Sequence, residues 1–195
     1  MTYNLNTLGN TEFEHLFQSL LKKIIGAGTV TFGTGPDGGR EATYVGTADY
    51  PSSSNKWRGY WIFQAKFHDT TYNLSGPRER ILKDLQAELT KITEKYKRPC
   101  DNYVFCTNVP LSSVDQKGTH DRIQKIANGF EHKIKNIAVW GYDDVCRFID
   151  NSPDIRQAFL SFILPGDVLS SLLSENNKQH LSDLKEKVIF SCFTI

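Results

Sequence analysis

The sequence predicts an α/β fold, a central mixed β-sheet with helices on both faces. Three observations point there. A helix-spaced apolar run opens the chain, three short β-rich segments follow it, and helices then alternate with strands to about residue 164. Phe13, Leu16, Phe17, Leu20, Leu21 and Ile24 recur at helical spacing and predict a helix over 11–25, ended by Gly26 and Gly28. Thr29–Phe32 reads as a strand, the glycine-rich stretch Gly33–Gly39 as a loop, and Arg40–Val45 as a second strand. The polar excursion Thr47–Lys56, with Pro51 and three serines, reads as an exposed turn or a wide hairpin loop. Tyr60–Phe67 is a third strand.

Gly76-Pro77 opens a long helix carrying the stripe Ile81, Leu82, Leu85, Leu89 and Ile92, which ends before Pro99. Strands at 103–107 and 137–140 and helices at 119–130, 143–149 and 154–164 complete the pattern. Pro165-Gly166 marks the edge of this unit, so residues 1–164 are expected to form one domain. Residues 165–195 are expected to form a helical extension, a linker or contact to a further domain, with an apolar end at Val188–Ile195.

Composition sets bounds. Hydrophobic residues make up 39% and charged residues 23% of the chain, as in an ordinary globular protein. The apolar runs fall far short of the roughly 20 residues that span a bilayer, and the polar start lacks a signal-peptide pattern, so a cytoplasmic protein without a membrane partner is expected. Cys100, Cys106, Cys146 and Cys192 lie in or beside apolar stretches with no C-x-x-C pair, which favours buried thiols over a zinc site. A formal charge of +1, from 23 basic and 22 acidic residues, excludes a polybasic tail acting alone and predicts modest DNA affinity unless copies assemble.

The chemistry concentrates on the strand Tyr60–Phe67. Alternation turns Gln64 and Lys66 to one face and Trp61, Phe63, Ala65 and Phe67 to the other. A lysine and a glutamine in the middle of an apolar strand need a carboxylate, a cation or water beside them. The neighbouring strand offers Glu41, and Asp37 stands just upstream. A hard cation such as Mg²⁺ takes oxygen ligands, here the Glu41 carboxylate, the Gln64 amide oxygen and the backbone carbonyl of Ala65. Lys66 would orient a water, take its proton or offset charge on a phosphate. The plainer alternative is an ion pair between Glu41 and Lys66, with Gln64 bonded to backbone. Glu14, three residues after Thr11, reads either as half of a capping box or as an outer ligand. His68, just past the strand, reads as a phosphate contact or as an ordinary exposed histidine.

The run Gly-Pro-Asp37-Gly-Gly-Arg-Glu41 followed by Gln64-Ala-Lys66 resembles the active-site pattern of the PD-(D/E)xK nucleases, and within them the Mrr-like restriction endonucleases. The resemblance spans roughly residues 11–150. It implies a restriction-endonuclease-like core, with Glu41 in the place of the metal-binding aspartate, Gln64 and Lys66 matching the family's Q-x-K, and Glu14 as its first-helix glutamate. Asp37 becomes an auxiliary, loop-shaping residue. It implies a Mg²⁺-dependent endonuclease of double-stranded DNA, with Mn²⁺ able to substitute. Lys56, Arg58, His68, Arg78 and Arg80 become candidate phosphate contacts. The stretch Asn136–Phe148, leading into Pro165-Gly-Asp167, is similar to the nuclease heads of bacterial antiviral STAND NTPases. That implies an effector domain in antiphage defence, assembled as a dimer or through a fused module. The alternatives are a nuclease of RNA or single-stranded DNA, and an inactive binding or assembly module. A long insertion between Glu41 and Gln64 departs from the family and would block or gate the site if it folded over it. The helix from Pro77 and the apolar C-terminal segment are the candidate dimer surfaces.

Overall fold

The computed structural model describes residues 3–33 and 40–160. After a 3₁₀ turn at Leu5–Thr7 come α1 (Asn10–Ile24), β1 (Val30–Thr31), β2 (Ala42–Ser52), β3 (Asn55–Lys66) and α2 (Ser75–Thr90). A π-helical turn, Lys91–Lys95, extends α2, and β4 (Asn102–Thr107), α3 (Thr119–Asn128), β5 (Asn136–Trp140), α4 (Tyr142–Asp150) and α5 (Pro153–Ala158) follow.

The strands form one mixed sheet in the order β1-β2-β3-β4-β5. β1, β2 and β3 pair antiparallel, while β3, β4 and β5 pair parallel. Each parallel step needs a crossover, and right-handed crossovers in one direction put both connecting helices on the same face. α2 and α3 accordingly share one face, where Ile62, Tyr103 and Phe105 meet Ile81, Leu85, Leu89 and Ile92. On the opposite face Trp61, Phe63, Ala65, Val104 and Cys106 meet Phe13, Leu16, Phe17 and Leu20 of α1, with Val145, Ile149 and Ile155 of α4 and α5. Alternate side chains of β3 thus enter two different cores, which is why that strand reads as a nearly continuous apolar run.

The Thr47–Lys56 excursion is strand, not loop. β2 and β3 run on through it as a long hairpin that closes between Ser52 and Asn55, with a register shift between Ala48 and Pro51. Most of the arm is exposed, with only Ala48, Tyr50 and Trp57 turned toward the core, and Pro51 sits at the irregularity where a missing N–H does least harm. Nor does the arm fold over the Gln64 face, the condition on which it would block or gate the site. Tyr50 and Trp57 pack against the α1-side core, and the Trp140 indole donates to the Tyr50 hydroxyl at 2.9 Å, whereas Gln64 faces α2. The stripe Ile81, Leu82, Leu85 and Leu89 of α2 is buried within this chain. The apolar C-terminal segment, the Pro165 boundary and Cys192 lie outside the described residues. Cys100, Cys106 and Cys146 are buried free thiols, as expected. Among the described residues no helix is long and apolar enough to cross a membrane.

Candidate active site

Glu41 lies just before β2, and its N–H donates to the Phe63 carbonyl at 2.8 Å. Ala42 pairs with Phe63, so continuing the register sets Glu41 opposite Gln64. The consequence is a direct contact: Gln64 Nε2 donates to Glu41 Oε1 at 2.7 Å and to the carbonyl of Ala65 at 3.3 Å. Two of the three oxygen sources expected to hold a cation, Glu41 and the Ala65 carbonyl, therefore converge on the nitrogen end of the third, the Gln64 amide. Gln64 is 2% exposed, and its Oε1 is buried without a hydrogen-bond partner. An amide has two ends of similar shape and opposite polarity. Turned over, it would aim a third oxygen at the point where Glu41 and Ala65 already converge. The residues fit a hard cation in that orientation, with a single carboxylate and two neutral oxygens as donors.

Lys66, two residues on, shares this face. Its Nζ lies 3.6 Å from Oε1 of Glu88 on α2, and Lys91 Nζ lies 2.7 Å from the same oxygen. Glu88 is 3% exposed. The sequence reading missed it, although the signal was present: it falls between Leu85 and Leu89 on the buried stripe of α2, where a charge is costly without partners. Beside it on β4, Tyr103 pairs in register with Ile62 and is fully buried, and its hydroxyl has no partner either. Burial, and then the negative charges of Glu88 and Glu41, hold the phenol well above its ordinary range, so it stays protonated.

Glu14 stands on α1. The capping-box reading fails, because α1 begins at Asn10 with Gly9 at its N-cap, which puts Thr11 inside the first turn. One turn beyond Glu14, the Gln18 amide donates to the Phe32 carbonyl at 3.0 Å, and the Phe32 N–H donates to the Glu41 carbonyl at 2.8 Å. The polar flank of α1 thus runs along the strand edge that carries Glu41. Asp37 lies outside the described residues.

The basic candidates divide. His68 is not an ordinary exposed histidine: its ring is 13% exposed, Nε2 lies 2.8 Å from Asp84 on α2, and its N–H donates to Asn108. Arg78 Nε donates to the Pro110 carbonyl at 2.8 Å, and Arg80 is exposed on the first turns of α2. Lys56 pairs with Asp49 at 2.7 Å on the hairpin arm, and Arg58 lies on the same arm. At roughly 3.3 Å per residue the arm carries those two some 25–35 Å along the strand from Lys66.

Compared with protein-family models, curated proteins and solved structures, the chain matches none. Among the described residues no group of three or more histidine, cysteine, aspartate or glutamate side chains could hold a metal ion. The weight of the site therefore rests on Gln64 and the Ala65 carbonyl, which are neutral donors, beside the one carboxylate of Glu41. Low negative charge implies weak cation binding, strengthened when a phosphate brings oxygens of its own.

Proposed function

We propose that this chain is a Mg²⁺-dependent endonuclease of double-stranded DNA, built on a restriction-endonuclease-like core of the Mrr-like kind. The observation that carries the reading is the Gln64 amide between the Glu41 carboxylate and the Ala65 carbonyl, with Lys66 next along the strand. Sequence spacing alone does not require such convergence.

In this reading Glu41, the Ala65 carbonyl and the reversed Gln64 amide hold the ion. The ion supplies the Lewis acidity that phosphodiester hydrolysis needs. Lys66, one-third exposed, presents its ammonium group to the phosphate and offsets charge that builds there. Glu88 and Asp84 on α2 restrain Lys66 and His68 from the helix side. With a net charge of +1 the chain grips DNA weakly by itself, so cutting both strands calls for two copies brought together. The likeness of residues 136–148 to antiviral effector heads suggests an assembly that would do this.

The test is incubation with duplex DNA, single-stranded DNA and RNA in Mg²⁺, Mn²⁺ or excess chelator, using wild type and Lys66→Ala. The expected result is cation-dependent cutting of the duplex, lost in the variant while its circular dichroism is unchanged. Equal activity in wild type and variant, or no cutting of any polymer, sinks the reading. Preferential cutting of RNA or single strands would replace the substrate.

A further inference from the structure

Among the described residues, three buried polar oxygens lack hydrogen-bond partners: Gln64 Oε1, Glu88 Oε2 and the Tyr103 hydroxyl. All three belong to the layer between the sheet and α2, where Gln64 and Tyr103 rise from adjacent strands and Glu88 descends from the helix. An unpartnered buried polar group costs about 1–3 kcal/mol, so three in one layer call for a physical account. A second cation is a poor one, because Lys66 and Lys91 already place two positive charges on Glu88. The Tyr103 O–H is the one donor among the three, and it reaches neither of the other two. Two of its orphans, the carboxylate oxygen and the amide oxygen, can only accept.

We infer that Gln64 is a two-position amide switch, turned over by the cation, and that Tyr103 and Glu88 stabilise its cation-binding position. This rests on the reading of Glu41, Gln64 and Ala65 as the cation site. In the position described, the NH₂ end satisfies Glu41 and Ala65, and the oxygen end is stranded inside. Reversal exchanges the two. The oxygen joins the two already gathered at the site, where they would repel without a cation between them. The NH₂ end turns toward the buried layer and donates to the Glu88 carboxylate and, through one water, to the Tyr103 hydroxyl. With the cation bound, the reversed amide has both ends satisfied, whereas without it the described position satisfies the NH₂ end and leaves the oxygen end unpartnered. Tyr103 and Glu88 are positioning residues here, acting on the ion only through Gln64.

The test is Mn²⁺ binding by the whole chain, followed by electron paramagnetic resonance of the free ion, in wild type, Tyr103→Phe, Glu88→Gln, Gln64→Glu and the Gln64→Glu/Tyr103→Phe pair. Losing one hydrogen bond predicts that Tyr103→Phe weakens Mn²⁺ binding about fivefold. Glu88→Gln should weaken it at least as much. A carboxylate at position 64 has no donor end to place, so in the Gln64→Glu background Tyr103→Phe should leave affinity unchanged. In wild type the Gln64 side-chain NH₂ resonances should move when Mg²⁺ is added. Unchanged affinity in folded Tyr103→Phe overturns the switch, as does an equal penalty in both backgrounds. A wild type that takes up no Mn²⁺ at roughly 10 mM overturns the cation site itself, a separate outcome from the first two.

Discussion

The Gln64 side-chain nitrogen lies 2.7 Å from Glu41 Oε1, across the junction of two antiparallel strands and on the face that α2 covers. In the proposed reading this contact marks Glu41 as the acid on which cation affinity depends. Glu41→Gln preserves size and removes the charge. Mg²⁺-dependent cleavage should fall on the order of 10²-fold or more, and added Mn²⁺ should recover only part of it. Initial rates on plasmid DNA across a cation titration would check this, and a fall of less than tenfold would remove Glu41 from the site.

Glu88 separates stability from function. A buried carboxylate held by partly exposed lysines is a poor source of stability, because its desolvation offsets its ion pairs. Glu88→Leu, which adds an apolar side chain beside Leu85 and Leu89, should keep urea-unfolding stability within about 1 kcal/mol or raise it. Glu88→Ala, which leaves a void as well, should lose about 1–3 kcal/mol. Both should lose cleavage. A fully active Glu88→Leu would make the pair with Lys66 incidental.

The hairpin arm turns on a pair of glycines, Gly46 and Gly59, that face each other across β2 and β3 at φ +154 and +123. A Cβ at Gly59 would run into the Asp101 carboxylate, which accepts the Tyr60 N–H at 2.7 Å. Gly59→Val should therefore destabilise by about 2–3 kcal/mol. Gly28, whose Cβ would meet only Tyr44 at ordinary contact distance, is the control. Gly28→Ala should stay within about 0.5 kcal/mol in the same urea titration.

Alkaline pH should unfold the chain early. Burial raises the Cys100 thiol from near 9 to about 12 and lifts Cys106 well above the ordinary thiol range, while Tyr142 rises from near 10 to about 12. A raised folded value means that the folded chain keeps protons which the unfolded chain gives up. The stabilising effect is whole below about pH 9 and is lost as pH climbs from there toward 12. Melting temperature should decline across that window, with thiols unreactive toward a disulfide reagent until unfolding. A flat profile between pH 9 and 11, or thiols that react in the folded state, would contradict this burial.

The helices were legible from their apolar periods, and β3 from its β-rich run, because burial on one stripe or both faces leaves a pattern in the residue order. The hairpin arm was not. Only Ala48, Tyr50 and Trp57 turn inward along it, too few to mark it as strand, and its pairing comes from backbone bonds that any residue supplies. The α2 stripe was read correctly as apolar, but whether it faced a sheet or a second copy depends on the crossover, which periodicity does not encode. Glu88 was hidden for a related reason. A charge on an apolar stripe announces a partner without saying which.

The sequence by itself determined the α/β alternation, the thiols of the core, and the turning of Gln64 and Lys66 to one face, since strand parity follows from counting residues. Only the tertiary structure decided that Glu41 meets Gln64, that Glu88 descends onto Lys66, and that the hairpin arm packs on the far face. Those relations join residues that are 22 to 23 positions apart or lie in separate layers. Their distances are set by register and helix packing, and neither is a local property of the chain.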